Sequence, residues 1–321
     1  MGTDFKGLIE PKEVSFEELE NKILVVDSFN VLYQFLSSIR QADGTLLSDS
    51  HGNVTSHLVG LFSRTVRLMS YRIKPVFVFD GKAPRLKSKE RERRKEIKQE
   101  ARAKLEIARQ EKDIAAMRKY AARTSKLSDE MVEEAKKLIE LLGCPVVLAL
   151  SEGEAQAAHF VRKGDGFAVV SQDYDSLLYG APLVVRNLTL SSRKKQRDRL
   201  SYEAINPELV SLEDTLKTLK LSQEQLIALA MLIGTDFNVG GIKGIGPKKG
   251  YKLVQKHGDD FDALFRDVKW DDCFENSWQE VFKLIKNMPI HDNYRLSWRL
   301  PEHSAIIKLL SEDHDFSESR V

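Results

Sequence analysis

The 321-residue sequence predicts an α/β fold: a central, mostly parallel sheet flanked by helices. Two observations lead there. Short apolar runs recur as "ILVV" from Ile23, "VFVF" from Val76, "VVLAL" from Val146, "FAVV" from Phe167 and "LVV" from Leu183. They are far too short to span a membrane, and they read as strands buried on both faces. Between them lie patterned stretches long enough for crossover helices, and strand–helix–strand repetition gives a parallel sheet.

Two of these stretches are explicit. From Asn53 to Tyr71, the residues Val54, Leu58, Leu61, Phe62 and Leu68 fall on a helical period. From Ser128 to Leu142, Ser128 suits a helix cap, and Met131, Ala135, Leu138 and Leu142 form the buried face. A third connection breaks the pattern. Between Asp80 and Ser128 the residues favour helix but offer almost no apolar face. It is either a solvated excursion without a role or a helical element over the sheet edge that touches a polyanion. After Leu183 comes a basic polar loop, "SSRKKQRDR". From Asn206 the chain reads as mainly helical, with Ser222 and Gln225 placed as a capping box.

Composition narrows the classes. A 42% apolar fraction supports a substantial core, and net charge is only +2. The charge is unevenly spread. Lys82 to Lys126 holds 17 Lys or Arg against 7 Asp or Glu, a local +10, so the remainder sums to −8. Two isolated cysteines, Cys144 and Cys273, make neither a zinc cluster nor a disulfide framework. No charged leader precedes an apolar stretch, and no apolar run approaches about 18 residues. A cytoplasmic chain with no membrane role is expected, and a monomer.

The acidic residues carry the chemistry. Asp27 and Asp80 each end an apolar run, and Glu152 and Asp173 follow two more. Glu154 and Asp175 come two residues later, and Asp236 lies in "IGTDFN". Open α/β sheets bind ligands beyond the carboxyl ends of their strands. Seven carboxylates converging there suit hard divalent cations such as Mg²⁺. Two such ions ~4 Å apart activate water and stabilise the leaving oxygen of a phosphodiester. Taken singly, each acid is equally an ordinary strand-end or helix-start residue. The set is harder to dismiss.

A glycine turn, "GGIKGIGPKKG", runs from Gly240 to Gly250. Gly244-Ile245-Gly246 allows a tight turn with outward backbone N–H groups, and Pro247 starts a helix well. Such a turn cradles a phosphate, and Lys248, Lys249 and Lys252 add positive charge. It follows no strand and carries no GKS or GKT, which sets nucleotide-binding loops aside. Lys82, Arg85, Lys87, Arg91, Arg93 and Arg94 follow Asp80 closely, and a basic side chain among them near the metals would clamp a scissile phosphate. Tyr33, six residues after Asp27, is either a boundary aromatic or a base-stacking platform.

Six stretches together carry a resemblance: "VVDSFNVLYQFLSSIRQ", "VFVFDGKAPRLK", "SEGEAQAAH", "SQDYDSLLYG", "IGTDFNVGGIKGIGPKKG" and "HDFSESRV". The chain resembles, along nearly its whole length, the archaeal structure-specific flap endonucleases. Their 5′-nuclease family includes the 5′–3′ exonucleases and the xeroderma-pigmentosum group G enzyme. The resemblance implies a PIN-like 5′-nuclease fold with a helical arch and a helix–two-turn–helix element. It divides the single nuclease unit into an N-terminal region (1–81), a basic gateway and cap (82–127) and an internal nuclease region (128–235). The glycine turn (236–258) and a C-terminal helical region (259–321) complete it.

The implied activity is two-metal hydrolysis of DNA phosphodiesters at 5′ flaps, with 5′–3′ exonuclease action, in Okazaki fragment maturation and base excision repair. Asp27, Asp80, Glu152 and Glu154 match the family's first Mg²⁺ site, and Asp173, Asp175 and Asp236 its second. Mn²⁺ is expected to substitute. Lys87 and Arg94 match basic residues that contact the scissile phosphate, and Tyr33 an aromatic that stacks beside the cut. Gly2 matches a terminal glycine packed near the site. Gly241, Gly244 and Gly246, with Lys248 and Lys249, match the element that grips duplex DNA. There K⁺ is expected against Gly241, Ile242 and Ile245. "TLLSDSHGNVTSH" resembles the loop and wedge helix near the duplex junction and 3′-flap pocket.

The expected partner is branched DNA with a 5′ flap. The family also docks on a sliding clamp through a glutamine–aliphatic–double-aromatic tail, a motif this sequence lacks. Two other readings remain at this stage. A silent DNA-junction binding module would use the turn and basic segment equally well, but the acids would oppose DNA. A phosphatase on small substrates would leave the basic segment idle.

Overall fold

The apolar runs form the strands of one sheet in the computed structural model, which describes residues 3–190, 193–195 and 202–321. Gly2 and most of the basic loop "SSRKKQRDR" lie outside the described residues. The strands are β1 (Lys12–Glu13), β2 (Ile23–Asp27), β3 (Lys74–Phe79), β4 (Val146–Leu148), β5 (Ala168–Val170) and β6 (Leu183–Arg186). Next come β7 (Arg193–Lys195), β8 (Tyr202–Ala204) and β9 (Glu208–Ser211). Seven of them pair in the order β1-β9-β6-β5-β2-β3-β4, and β7 pairs with β8 as a separate ribbon. From β6 to β4 all pairings are parallel, with β2 central. β9 joins β6 antiparallel, and β1 joins β9 antiparallel. The mostly parallel expectation holds.

The helices are α1 (Ser28–Ser38), α2 (Ser56–Ser70), α3 (Ser88–Gln110), α4 (Ile114–Arg123) and α5 (Asp129–Leu141). They continue as α6 (Gly153–Lys163), α7 (Asp175–Leu178), α8 (Leu212–Leu219), α9 (Gln223–Ile233) and α10 (Pro247–His257). Strand residues alternate between two cores. Val25, Val76, Val78, Val169 and Val184 pack with Ala157, Phe160 and the apolar body of α9. Leu24, Val26, Phe77, Phe79 and Val170 pack with Leu32, Leu58, Leu61 and Leu138 on the other face. Burial on both faces is why these strands read as unbroken apolar runs.

Caps fall where the sequence puts them. Ser128 Oγ accepts from Met131 N at 3.3 Å, and Ser222 and Gln225 form a reciprocal capping box. Ala135, Leu138 and Leu142 are fully buried, whereas Met131 is half-buried. The chain after Asn206 is mainly helical from α8 onward, but it first adds β9, which covers the edge of β6. Four residues show too little periodicity to reveal a strand, and the pairing edge is supplied by a distant segment. Among the described residues no helix is long and apolar enough to cross a membrane.

The basic excursion is a pair of packed helices. α3 buries only Glu90, Ala101, Leu105 and Ala108, and α4 only Ala121. Polar contacts at its foot tie it down: Arg40 Nη2 donates to Ser125 Oγ at 2.6 Å, and Arg118 Nε donates to Ala42 O.

Candidate active site

The parallel topology sends the carboxyl ends of β2, β3, β4 and β5 to one edge, and the acids follow them. Asp27 is the last residue of β2 and caps α1, accepting from Asn30 N at 3.2 Å. Asp80 follows β3 and accepts from Gly153 N at 2.7 Å. A side chain at position 153 would put its Cβ 2.8 Å from Asp80 Oδ1, so glycine permits that contact. Glu152 caps α6 and Glu154 lies in its first turn. Glu154 Oε1 accepts from Ser171 Oγ at 2.8 Å and from Ser176 Oγ at 3.1 Å. Asp173 accepts from Asn30 Nδ2 at 3.1 Å, and Asp175 from Thr3 N at 2.7 Å. Asp236 arrives from the turn after α9.

Two cations reach into this group from the start of the basic excursion. Lys87 Nζ lies 2.5 Å from Glu152 and 3.2 Å from Asp236. Arg94 Nη2 donates to both oxygens of Asp236 at 3.0 Å. Its Nε donates to Glu90 at 2.7 Å. Burial works against the Lys87 ammonium, but Glu152, Asp236 and Asp80 outweigh it and strengthen its hold on its proton.

The acids themselves are held in an unfavourable state. Asp27 and Glu152 are only 7% and 9% exposed. Burial, then the neighbouring Asp80, pushes Asp27 well above the carboxylate range. Burial, then Asp27, does the same to Glu154. Burial also raises Asp80 and Glu152, although Lys87 opposes it in both. Asp175 is pushed up to about 6, by burial and then by Asp173. Each carboxylate is destabilised by others of its own charge.

Among the described residues no three His, Cys, Asp or Glu are set at ligating distance from one point. The donor set still fits hard cations. It is entirely oxygen, it is largely shielded from solvent, and a cation would relieve its repulsion.

Tyr33 sits on α1 at the rim, 39% exposed, with Lys98 Nζ 5.2 Å from its ring centroid. The glycine turn joins α9 to α10. Gly241 and Gly244 have φ of +59° and +79°, and Gly246 caps α10 ahead of Pro247. A Cβ on Gly241 would come within 2.3 Å of the Ile233 carbonyl. Ile242 is buried, and Lys248 and Lys249 are exposed. Ile242 O already accepts from Ile245 N at 3.0 Å.

Three contributors escape the sequence reading. Asn30 bridges Asp173 and the backbone of Gln172. Tyr179 is half-buried beside Glu152 and Asp175, and burial followed by those charges raises its hydroxyl well above the usual range. Glu90 is a buried acid inside a basic helix. No motif marks Glu90, and nothing in the quoted "SQDYDSLLYG" singles out Tyr179. Asn30 lay within a quoted stretch, three residues after Asp27, where a polar residue facing the strand ends is a readable signal.

Comparison with known proteins places this geometry. Residues 4–101 match the XPG N-terminal domain, and residues 143–236 the XPG I-region. All 321 residues align with flap endonuclease 1 of Pyrococcus furiosus at 50% identity, covering 93% of that protein. The Pyrococcus abyssi enzyme aligns over the same length at 49% identity, with 92% covered. The solved flap endonuclease-1 from Methanococcus jannaschii superposes with a TM-score of 0.78 at 42% identity, over 99% of this chain and 95% of that one. The catalytic core of Rad2, solved in complex with a DNA substrate, shares the fold with a TM-score of 0.65 at 24% identity, over 94% and 91% of the two chains. By identity over its entire length, the chain belongs to the flap endonuclease 1 family of XPG nucleases.

Proposed function

We propose that the seven carboxylates at the sheet edge, with Lys87 and Arg94, carry the structure-specific 5′-flap endonuclease activity that family membership assigns to this chain. The observation that carries this reading is convergence: Asp80 and Glu152, following β3 and β4, and Asp236, from the turn after α9, meet around the Lys87 ammonium. Asp27, Asp80, Glu152 and Glu154 would hold one Mg²⁺, and Asp173, Asp175 and Asp236 a second, with Mn²⁺ an acceptable substitute. When bound, these ions supply an activated water and charge for the leaving oxygen of a phosphodiester.

The chain's own groups do the rest. Lys87 and Arg94 exchange their carboxylate partners for the scissile phosphate, which orients it and offsets charge developing on its oxygens. Tyr33, partly exposed at the rim, stacks on the base beside the cut. α3 and α4 form the arch over the 5′ strand. Gly241, Gly244 and Gly246, with Lys248 and Lys249, grip the uncleaved duplex. Gly241, Ile242 and Ile245 would hold a K⁺, which would supply positive charge for the DNA backbone at that turn. The localised +10 of residues 82–126 makes DNA affinity fall steeply with salt.

A 5′-labelled double-flap DNA tests this with and without Mg²⁺, beside Asp80→Ala. Metal-dependent cleavage near the flap base, lost in the variant, is expected. Tight binding of the flap with no cleavage by the wild type would instead favour a silent junction-binding module.

A further inference from the structure

We infer that Glu90 is a positioning residue for the reaction, acting by fixing the guanidinium plane of Arg94. The inference rests on the reading that Arg94 engages the scissile phosphate. α3 is 23 residues long and faces solvent along most of its length, yet Glu90 is 3% exposed. A lone buried carboxylate on such a helix is unfavourable unless paired. Glu90 is paired twice. Its Oε1 accepts from Arg94 Nε at 2.7 Å and its Oε2 from Arg93 Nη1 at 2.9 Å.

The division of donors gives this contact its function. Arg94 gives Nε to Glu90 and Nη2 to Asp236. The two acids hold different nitrogens of one planar group, so losing one leaves the other in place. When phosphate replaces Asp236, Glu90 keeps the side chain aimed and leaves the terminal nitrogens free. A bare Arg94, 40% exposed along its side chain, would sample many rotamers instead. The plain alternative is that Glu90 is only an i,i+4 helix pair near the positive end of α3. That role predicts a lower melting temperature and no dependence on Arg94.

The test uses the full chain with Glu90→Ala, Glu90→Gln, Arg94→Ala and the double variant. Single-turnover cleavage and flap-DNA Kd are read at saturating Mg²⁺. The Arg94 Nε–Hε NMR signal is read in the metal-free protein. Glu90→Ala is expected to slow the single-turnover rate roughly tenfold or more, since small misplacements cost that much. Kd should stay within about twofold, because the arch retains its other cations. The double variant should match Arg94→Ala. Glu90→Gln keeps an acceptor for Nε and should recover most of the rate. The Nε–Hε signal should move to its free-solvent position in Glu90→Ala.

Additive losses in the double variant, or an unmoved Nε–Hε signal, would overturn the inference. An Arg94→Ala variant that cleaves at the wild-type rate would remove the phosphate-clamp reading itself. Should Glu90→Ala fail to fold, Glu90→Gln and the NMR signal decide the matter alone.

Discussion

Asp49 and the acids at the sheet edge have opposite surroundings. Asp49 accepts from His51 N at 3.0 Å, Asn53 N at 2.8 Å, Asn53 Nδ2 at 3.0 Å and His314 Nδ1 at 2.9 Å. Burial works against its charge, but these donors, His314 foremost, outweigh it and bring the carboxyl down to about 2. At the sheet edge, Asp27, Asp80, Glu152, Glu154 and Asp175 are raised by burial, and other acids add to the rise in each. Burial is common to both, so it cannot be what separates a structural acid from a functional one. The partners separate them. A carboxylate given donors is satisfied; carboxylates given mainly each other await a cation.

The contrast is easiest to break at Asp173. Asp173→Asn keeps an oxygen for Asn30 Nδ2 and removes one repelling charge beside Asp175 and Glu154. Cleavage of a labelled flap should fall on the order of 10³-fold, the scale expected when a group that organises transition-state charge is lost. The melting temperature in EDTA should stay level or rise. A fall of several degrees would mean the sheet-edge acids stabilise the fold as Asp49 does, and the contrast would be lost.

Lys87→Met runs the other way. It removes the ammonium between Glu152 and Asp236 and leaves the buried Glu152 unpaired, while Asp236 keeps Arg94. Breaking a buried pair from one side costs about 3 kcal/mol. Urea unfolding without metal should show that loss, and added Mg²⁺ should recover much of it. Cleavage should still drop by about 10²-fold, because the phosphate clamp is gone. Equal destabilisation with and without Mg²⁺ would argue that no cation can take over the role of Lys87.

Much of this site is legible in the sequence because strand ends are legible. Runs such as "VFVF" mark strands by composition alone, and a parallel sheet delivers the residues after them to one edge. Asp27, Asp80, Glu152 and Asp173 therefore come together without any contact being known in advance. Asp236 is different. It joins the set in the sequence only as an acid after a helical stretch, and nothing about α9 says which edge its turn will reach. β9 was missed because four residues carry too little pattern. Glu90 was missed because a single glutamate among arginines looks like surface, and its burial depends on how α3 meets the sheet edge. Local periodicity is written in the chain, whereas contacts between distant elements are settled by packing.

The smallest expected effect concerns the satisfied acid. Asp49 ties residues 49–53 to the C-terminal segment through His314, across 265 positions of sequence. Its carboxyl is lowered in the folded protein from an ordinary value of 3.8 to about 2. A lowered acid contributes stability that is complete above its unfolded value and disappears as pH falls through its folded one. The gap in melting temperature between wild type and Asp49→Asn should therefore be widest near neutral pH, roughly 3 °C or more. It should narrow between about pH 4 and pH 2, where the wild-type carboxyl also becomes neutral. A gap that stays constant across that range would assign the loss to altered hydrogen-bond geometry rather than to charge. A gap that widens toward acid would reverse the sign and place Asp49 with the acids at the sheet edge.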